Sequence, residues 1–230
     1  MKEALTEEEI QHFIHQGFVK IENAFPREVA DAGREILWKD TGCNPNDPAT
    51  WSQPVIRLGY YAQEPFRLAV NTPILHHAAD QLVGKGRWLP QGALGTFPVR
   101  FPSTEDPGDA GWHAEASFIG TDGSMRLNVR SRGRTLLMLF LFSDVGIDDA
   151  PTRILVGSHL DVPGLLEQAG EQGLSFIELA QKLTTSLSRE LTYATGEAGT
   201  VYICHPFLIH AAQPHRGKNP RFMAQPPLLP

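Results

Sequence analysis

The sequence predicts a mainly β fold, a double-stranded β-helix (jelly roll, cupin-like barrel) with helices on its N-terminal side. Helical periodicity dominates residues 1–90, whereas from about residue 91 short strand-like runs follow one another between turn-rich segments. Helices first and then about eight short strands indicate an antiparallel two-sheet roll with a helical buttress. The length, 230 residues, suits one all-β unit of this kind. Residues 1–230 are therefore expected to form a single domain, with the buttress over about 1–90 and the jelly-roll core over about 91–230.

Each element has a local reason. Thr6-Glu-Glu-Glu9 is a capping box, with a hydroxyl at the N-cap and a carboxylate three residues on, so that two orphaned amide hydrogens are satisfied reciprocally. It opens a helix through about His15 with Ile10, Phe13 and Ile14 as the apolar side. Gly17 stops it, and Phe18-Val-Lys-Ile-Glu alternates as a strand. Pro26 suits the first turn of a second helix running through Val29, Ala32 and Ile36 to about Lys39. Residues 43–53, dense in Asn, Asp and Pro, read as loop. Thr72-Pro73 begins a third helix that ends near Val83-Gly84. Strand-like runs then cover 93–101, 124–130, 134–143, 152–156, 190–194, 199–204, 207–211 and 221–225, with a helical insert over roughly 162–185. The tail from Gln225 to Pro230 reads as an extended terminus.

Bulk properties narrow the partners. Net charge is −6 and basic runs are short, which disfavours nucleic acid and anionic membrane. The longest apolar run, Leu136 to Phe142, is too short to span a bilayer. Residues Met1 to Glu9 are acidic and lack the apolar block of a signal peptide. Cys43 and Cys204 are the only cysteines, too few for a disulfide framework. A cytoplasmic location and a small-molecule substrate are the expectation.

The chemistry is carried by histidines and carboxylates. His-x-acid occurs twice, as His113-Ala-Glu115 and His159-Leu-Asp161, where composition alone would give about one. On a strand, residues i and i+2 share a face, so His113 and Glu115 can point into one cavity. Asp161 precedes Val162-Pro163, where a short acid is a natural helix N-cap. A further histidine is offered by His205, His210 and His215. His205 precedes a proline and marks a bend, and His215 sits in the turn-like Gln213-Pro-His-Arg-Gly217. His210 ends the apolar run Phe207-Leu-Ile and lies on a plausible strand. Two histidines and one carboxylate make a facial triad for ferrous iron, with coordination positions left open. Arg221, eleven residues beyond His210, supplies a fork that matches a carboxylate bidentately.

These residues resemble the phytanoyl-CoA dioxygenase family of ferrous, 2-oxoglutarate-dependent oxygenases. The resemblance runs through Leu5-Thr-Glu-Glu-Glu-Ile-Gln-His-Phe, Gly111-Trp-His-Ala-Glu-Ala-Ser-Phe118, Val156-Gly-Ser-His159 and His205-Pro-Phe-Leu-Ile-His210 with Arg221. It implies His113, Glu115 and His210 as iron ligands and Arg221 as the group holding the far carboxylate of 2-oxoglutarate, with O2 as the second co-substrate. It also implies oxidation, most simply hydroxylation, of a substrate C–H bond. Two departures stand out: glutamate at 115 where aspartate is commoner, and Ala212 where many members carry a hydroxyl.

Trp112, Phe118, Arg100, Arg57 and Tyr60 are candidates for the substrate side. Arg130, Arg132 and Arg134 flank Gly133 and read as a solvated, charged hairpin turn. Desaturation, cyclisation or epoxidation by the same oxidative chemistry are alternative outcomes, and a non-catalytic jelly-roll binding protein is the alternative from another class. Halogenation is disfavoured, because it needs the carboxylate position that Glu115 fills.

Overall fold

The computed structural model describes residues 4–183 and 186–230. The N-terminal third contains α1 (Glu7–Gln16), β1 (Phe18–Ile21), α2 (Arg27–Thr41), β2 (Val55–Leu58), α3 (Glu64–Val70) and α4 (Pro73–Val83). Then come β3 (Phe97–Arg100), β4 (Phe118–Ile119), β5 (Met125–Leu127), β6 (Leu136–Leu141) and β7 (Arg153–Leu155). The insert contributes α5 (Val162–Ala169), β8 (Leu174–Ser175) and α6 (Phe176–Ala180). The chain closes with β9 (Leu191–Tyr193), β10 (Val201–Cys204), β11 (His210–Ala211), β12 (Met223–Ala224) and β13 (Pro227–Leu228).

The major sheet is ordered β1-β10-β6-β12, with β13 also on β6, and the minor sheet is β11-β7-β9. All the pairings are antiparallel, giving the expected jelly-roll arrangement. β6 explains how the layers stack. Alternate strand residues face opposite sides, and here both sides are apolar. Leu136, Met138 and Phe140 join the core under the helices, while Leu137, Leu139 and Leu141 join a second core with Ile154, Tyr202, Cys204 and Met223. A third cluster, around Ala114, Leu127, Leu166, Leu174 and Ile209, packs the insert beneath the region of His113.

The capping box at Thr6 and Glu9 is formed, and Gly17 ends α1 in the left-handed conformation, φ 87°, which glycine adopts without steric cost. Ile14, expected on the buried side, is 49% exposed. Only Phe13 is fully buried from that helix, so its contact stripe is narrower than the pattern implied. The strand-like runs all contain strands, usually shorter than the run. The helical insert is broken by β8, which pairs with β5, and its end at 184–185 lies outside the described residues. The tail is extended, and within it β13 pairs with β6 at Pro227–Leu137 and Leu228–Leu136. β2 and α3 were not anticipated, both being short. No helix among the described residues is long and apolar enough to cross a membrane.

His159 and His205 stack at 5.0 Å between ring centroids, and His205 Nδ1 accepts a hydrogen bond from Phe207 N–H. Burial, and then the neighbouring His159, push His205 down to about 4 from 6.5; burial likewise lowers His159. In the unfolded chain both rings take up protons near 6.5. Between those values the unfolded state binds more protons, so stability is lost as pH falls. The urea midpoint of metal-free protein is expected to drop from pH 6.5 to 4.5, with a shallower slope in His205→Gln. Equal slopes in the two proteins would remove His205 from the account.

Candidate metal centre

His113 and His210 face each other across an isolated antiparallel bridge and exchange both backbone hydrogen bonds, at 3.0 and 2.9 Å. Paired residues in such a ladder project to the same side, and the two rings lie 4.3 Å apart between centroids. Glu115, two residues on, shares that side. Its Oε1 lies 3.5 Å from His210 Nε2, and one donor atom from each of the three residues lies within 4.8 Å of the other two.

The backbone orients both rings. His113 Nδ1 lies 2.9 Å from Gly111 O, and His210 Nδ1 lies 3.0 Å from Leu208 O. A carbonyl at Nδ1 selects the tautomer protonated there, leaving each Nε2 lone pair for a metal. Burial, and next His210, push His113 down to about 4, so its imidazole is neutral at pH 7. Burial works against ionisation of Glu115, but the neighbouring His210, then Arg134 and His113, outweigh it and bring the carboxyl to about 2. Two imidazoles, each held at Nδ1 by a backbone carbonyl, and one carboxylate are a donor set that fits ferrous iron.

Arg134 corrects one expectation. It is not in a solvated turn: its side chain is 14% exposed, with Nη1 2.8 Å from Glu115 Oε2 and Nε donating to Ala116 O at 2.8 Å. Arg130 does behave as expected, pairing with Glu171 in solvent.

His113 and His210 line a cleft of about 550 Å³ together with Arg57, Arg100, Asp109, Thr96, Phe176 and Gln225. Arg57 and Arg100 are thus on this cleft, joined through Asp109, which both contact. Trp112, Phe118 and Tyr60 do not line it. Trp112 alternates with His113 and so turns away, into the cluster under the insert, with the Arg153 guanidinium 4.6 Å over its ring. Phe118 lines a separate hollow with Ile119 and Arg126. Tyr60 is 69% exposed. Phe176 was missed, yet its ring lies 4.5 Å from that of His113. A second capping box, Ser175 with Glu178, marks the helix start that carries it and was readable in the sequence.

The other candidates lie apart from this cluster. His159 is buried, with Nε2 3.0 Å from Ile14 O. Asp161 makes no side-chain cap on α5; instead its carboxylate pairs with both Nε and Nη2 of Arg189, at 2.7 and 2.6 Å, and accepts from Ser186 Oγ. A cation and a hydroxyl within reach outcompete the cap. His215 is held in a turn by Asn219 O and Gly217 N–H. Arg221 is 1% exposed and bridges to Arg100 through both backbone hydrogen bonds. Its Nη atoms donate to Ala150 O and to Pro98 O, whose residue is part of the cleft wall. Its Nε has no partner among the described residues. Burial, and then Arg100, hold the guanidinium well below its usual range.

The family model described as phytanoyl-CoA dioxygenase matches residues 13–223. No curated protein matches the sequence. Among solved structures, the 2-oxoglutarate-dependent carbocyclase SnoK from nogalamycin biosynthesis is 18% identical, with a TM-score of 0.63 over 97% of this chain and 84% of that one. HygX from Streptomyces hygroscopicus, holding nickel, 2-oxoglutarate and hygromycin B, is 19% identical, with a TM-score of 0.60 over 96% and 86%. EctD from S. alaskensis, with 2-oxoglutarate and 5-hydroxyectoine, is 18% identical, with a TM-score of 0.59 over 99% and 76%. At such identities the likeness is one of fold.

Proposed function

The chain belongs to the phytanoyl-CoA dioxygenase family, and from that premise we propose that His113, Glu115 and His210 hold its iron and Arg221 its 2-oxoglutarate. The protein is a non-haem iron, 2-oxoglutarate-dependent oxygenase. The observation that carries the site assignment is the convergence of one donor atom each from His113, Glu115 and His210 within 4.8 Å, beside a cleft large enough for a small molecule. Bound ferrous iron supplies O2 activation coupled to oxidative decarboxylation of 2-oxoglutarate to succinate.

The chain's own contribution is binding and positioning. A buried guanidinium without a carboxylate partner is costly, and the far carboxylate of 2-oxoglutarate is the complement Arg221 lacks. Thr96 and Gln225 bring a hydroxyl and an amide to the same wall, in place of the hydroxyl absent at Ala212. Phe176, stacked on His113, shields that face from water. Residues 1–230 act as one catalytic domain, in the cytoplasm, on a small-molecule substrate. Free Cys43 and Cys204 suit that reducing location.

Hydroxylation of a C–H bond is the outcome the site supports best. A cyclisation is the second reading, favoured by the carbocyclase of the same fold. Purified protein given ferrous iron and 2-oxoglutarate is expected to release succinate, and 2-oxoglutarate binding is to be measured alongside. Neither succinate nor binding would leave a non-catalytic jelly roll. Glu115→Asp keeps the charge and is expected to stay active, whereas Glu115→Ala should bind iron more weakly and lose turnover. Equal turnover in Glu115→Ala would remove Glu115 from the ligand set. A chlorinated product from the unaltered enzyme would overturn the hydroxylase reading.

A further inference from the structure

We propose that Arg134 is a positioning residue that restrains the long side chain of Glu115 so that one chosen oxygen is presented to the metal. The inference rests on the assignment of His113, Glu115 and His210 as ligands. The two oxygens of Glu115 have different neighbours. Oε2 lies 2.8 Å from Arg134 Nη1, while Oε1 lies 3.5 Å from His210 Nε2, on the side of the other donors. Glutamate has one more rotatable bond than aspartate, and an unrestrained carboxylate at that reach can turn either oxygen, or both, toward a cation. Occupying Oε2 leaves Oε1 as the single donor and keeps the remaining coordination positions open for co-substrate and O2.

The arginine is itself fixed from several directions. Its Nε donates to Ala116 O at 2.8 Å, so the guanidinium grips both the backbone and the side chain of the ligand segment. Asn128 Oδ1 closes the preceding turn by accepting from Arg130 N–H at 2.9 Å and Ser131 N–H at 2.6 Å. Ser131 Oγ then contacts Ser117 Oγ. Gly133 makes the approach possible, because a Cβ there would collide with the Ser117 carbonyl. The loop 128–134 is thus docked on the segment that carries Glu115. An ordinary surface ion pair would need none of this.

Cobalt(II), alone and then with 2-oxoglutarate, is the probe, with its affinity and visible absorption spectrum as readouts and thermal unfolding recorded beside them. Arg134→Met is expected to weaken cobalt binding about tenfold, the scale of losing a group that orients a metal ligand, and to change the band shape. Arg134→Lys keeps the charge but not the fork, so about a threefold loss is expected; it also serves should Arg134→Met not fold. In a Glu115→Asp background, whose side chain is shorter by about 1.5 Å, Arg134→Met should cost little further affinity. Unchanged cobalt affinity and spectrum in folded Arg134 variants would overturn the proposal, as would an equal loss in the Glu115→Asp background. Cobalt bound equally well by Glu115→Ala would instead overturn the ligand assignment beneath it.

Discussion

Replacing His210 with alanine is expected to abolish ferrous-ion binding and, with it, succinate formation. His210 is 3% exposed, and its ring is held by Leu208 O so that Nε2 faces Glu115. No other histidine is placed to substitute: His205 stacks on His159, and His215 is tied to Asn219. His113→Ala should behave identically, since both imidazoles belong to one bridge. The informative comparison is with the other His-x-acid pair. His159→Ala and Asp161→Ala should retain a full equivalent of iron. Asp161→Ala should lose about 1 kcal/mol of stability with its partly exposed Arg189 pair. Iron stoichiometry across the four variants decides between the pairs. Iron retained in His113→Ala and lost in Asp161→Ala would reverse the assignment.

Arg221→Ala should raise the 2-oxoglutarate dissociation constant by about 10- to 150-fold while leaving iron in place, since a charged hydrogen bond contributes roughly 1.5–3 kcal/mol. Arg221→Lys should recover only part of this, because an ammonium cannot reproduce the fork. The alanine variant should also be less stable, as Ala150 O and Pro98 O lose their donor. Isothermal titration with 2-oxoglutarate on iron-loaded, folded protein separates the two effects. Unchanged affinity would move the co-substrate site away from Arg221, with Arg100 on the cleft wall the next residue to test.

The order of helices and strands was legible because apolar periodicity is local: the capping box at Thr6, the turn at Gly17 and the all-apolar run at Leu136 each state their structure within a few residues. The spacing of His113 and Glu115 was legible for the same reason. Arg134 was misread because nothing nearby reveals that its turn docks on Glu115, a contact set by Gly133 and Ser117 in three dimensions. Phe176 was hidden inside what read as one long helix, although Ser175 and Glu178 marked a fresh start. Asp161 shows the converse error, a good local cap overridden by Arg189, far along the chain. Trp112 was a substrate-side candidate, yet it neighbours His113 and turns away from it into the cluster under the insert.

The strand from Leu136 to Leu141 has a consequence for the life of the chain before it is an enzyme. Its sheet neighbours β10, β12 and β13 all come later in the sequence, the last some ninety residues on. At ordinary translation speeds roughly five to twenty seconds separate emergence of this strand from emergence of its last neighbour. Until β10 emerges, some sixty residues on, six consecutive apolar residues, uncharged and free of proline, have both edges open, and the edge that β12 and β13 cover stays open longer, the pattern that favours self-association. Residues Pro227 and Leu228 cover one edge of that strand, so a nascent chain that stalls before them would leave that edge a sticky template without its native cover. Yield of active protein should then depend more on chaperone supply and growth temperature than the settled fold alone would suggest.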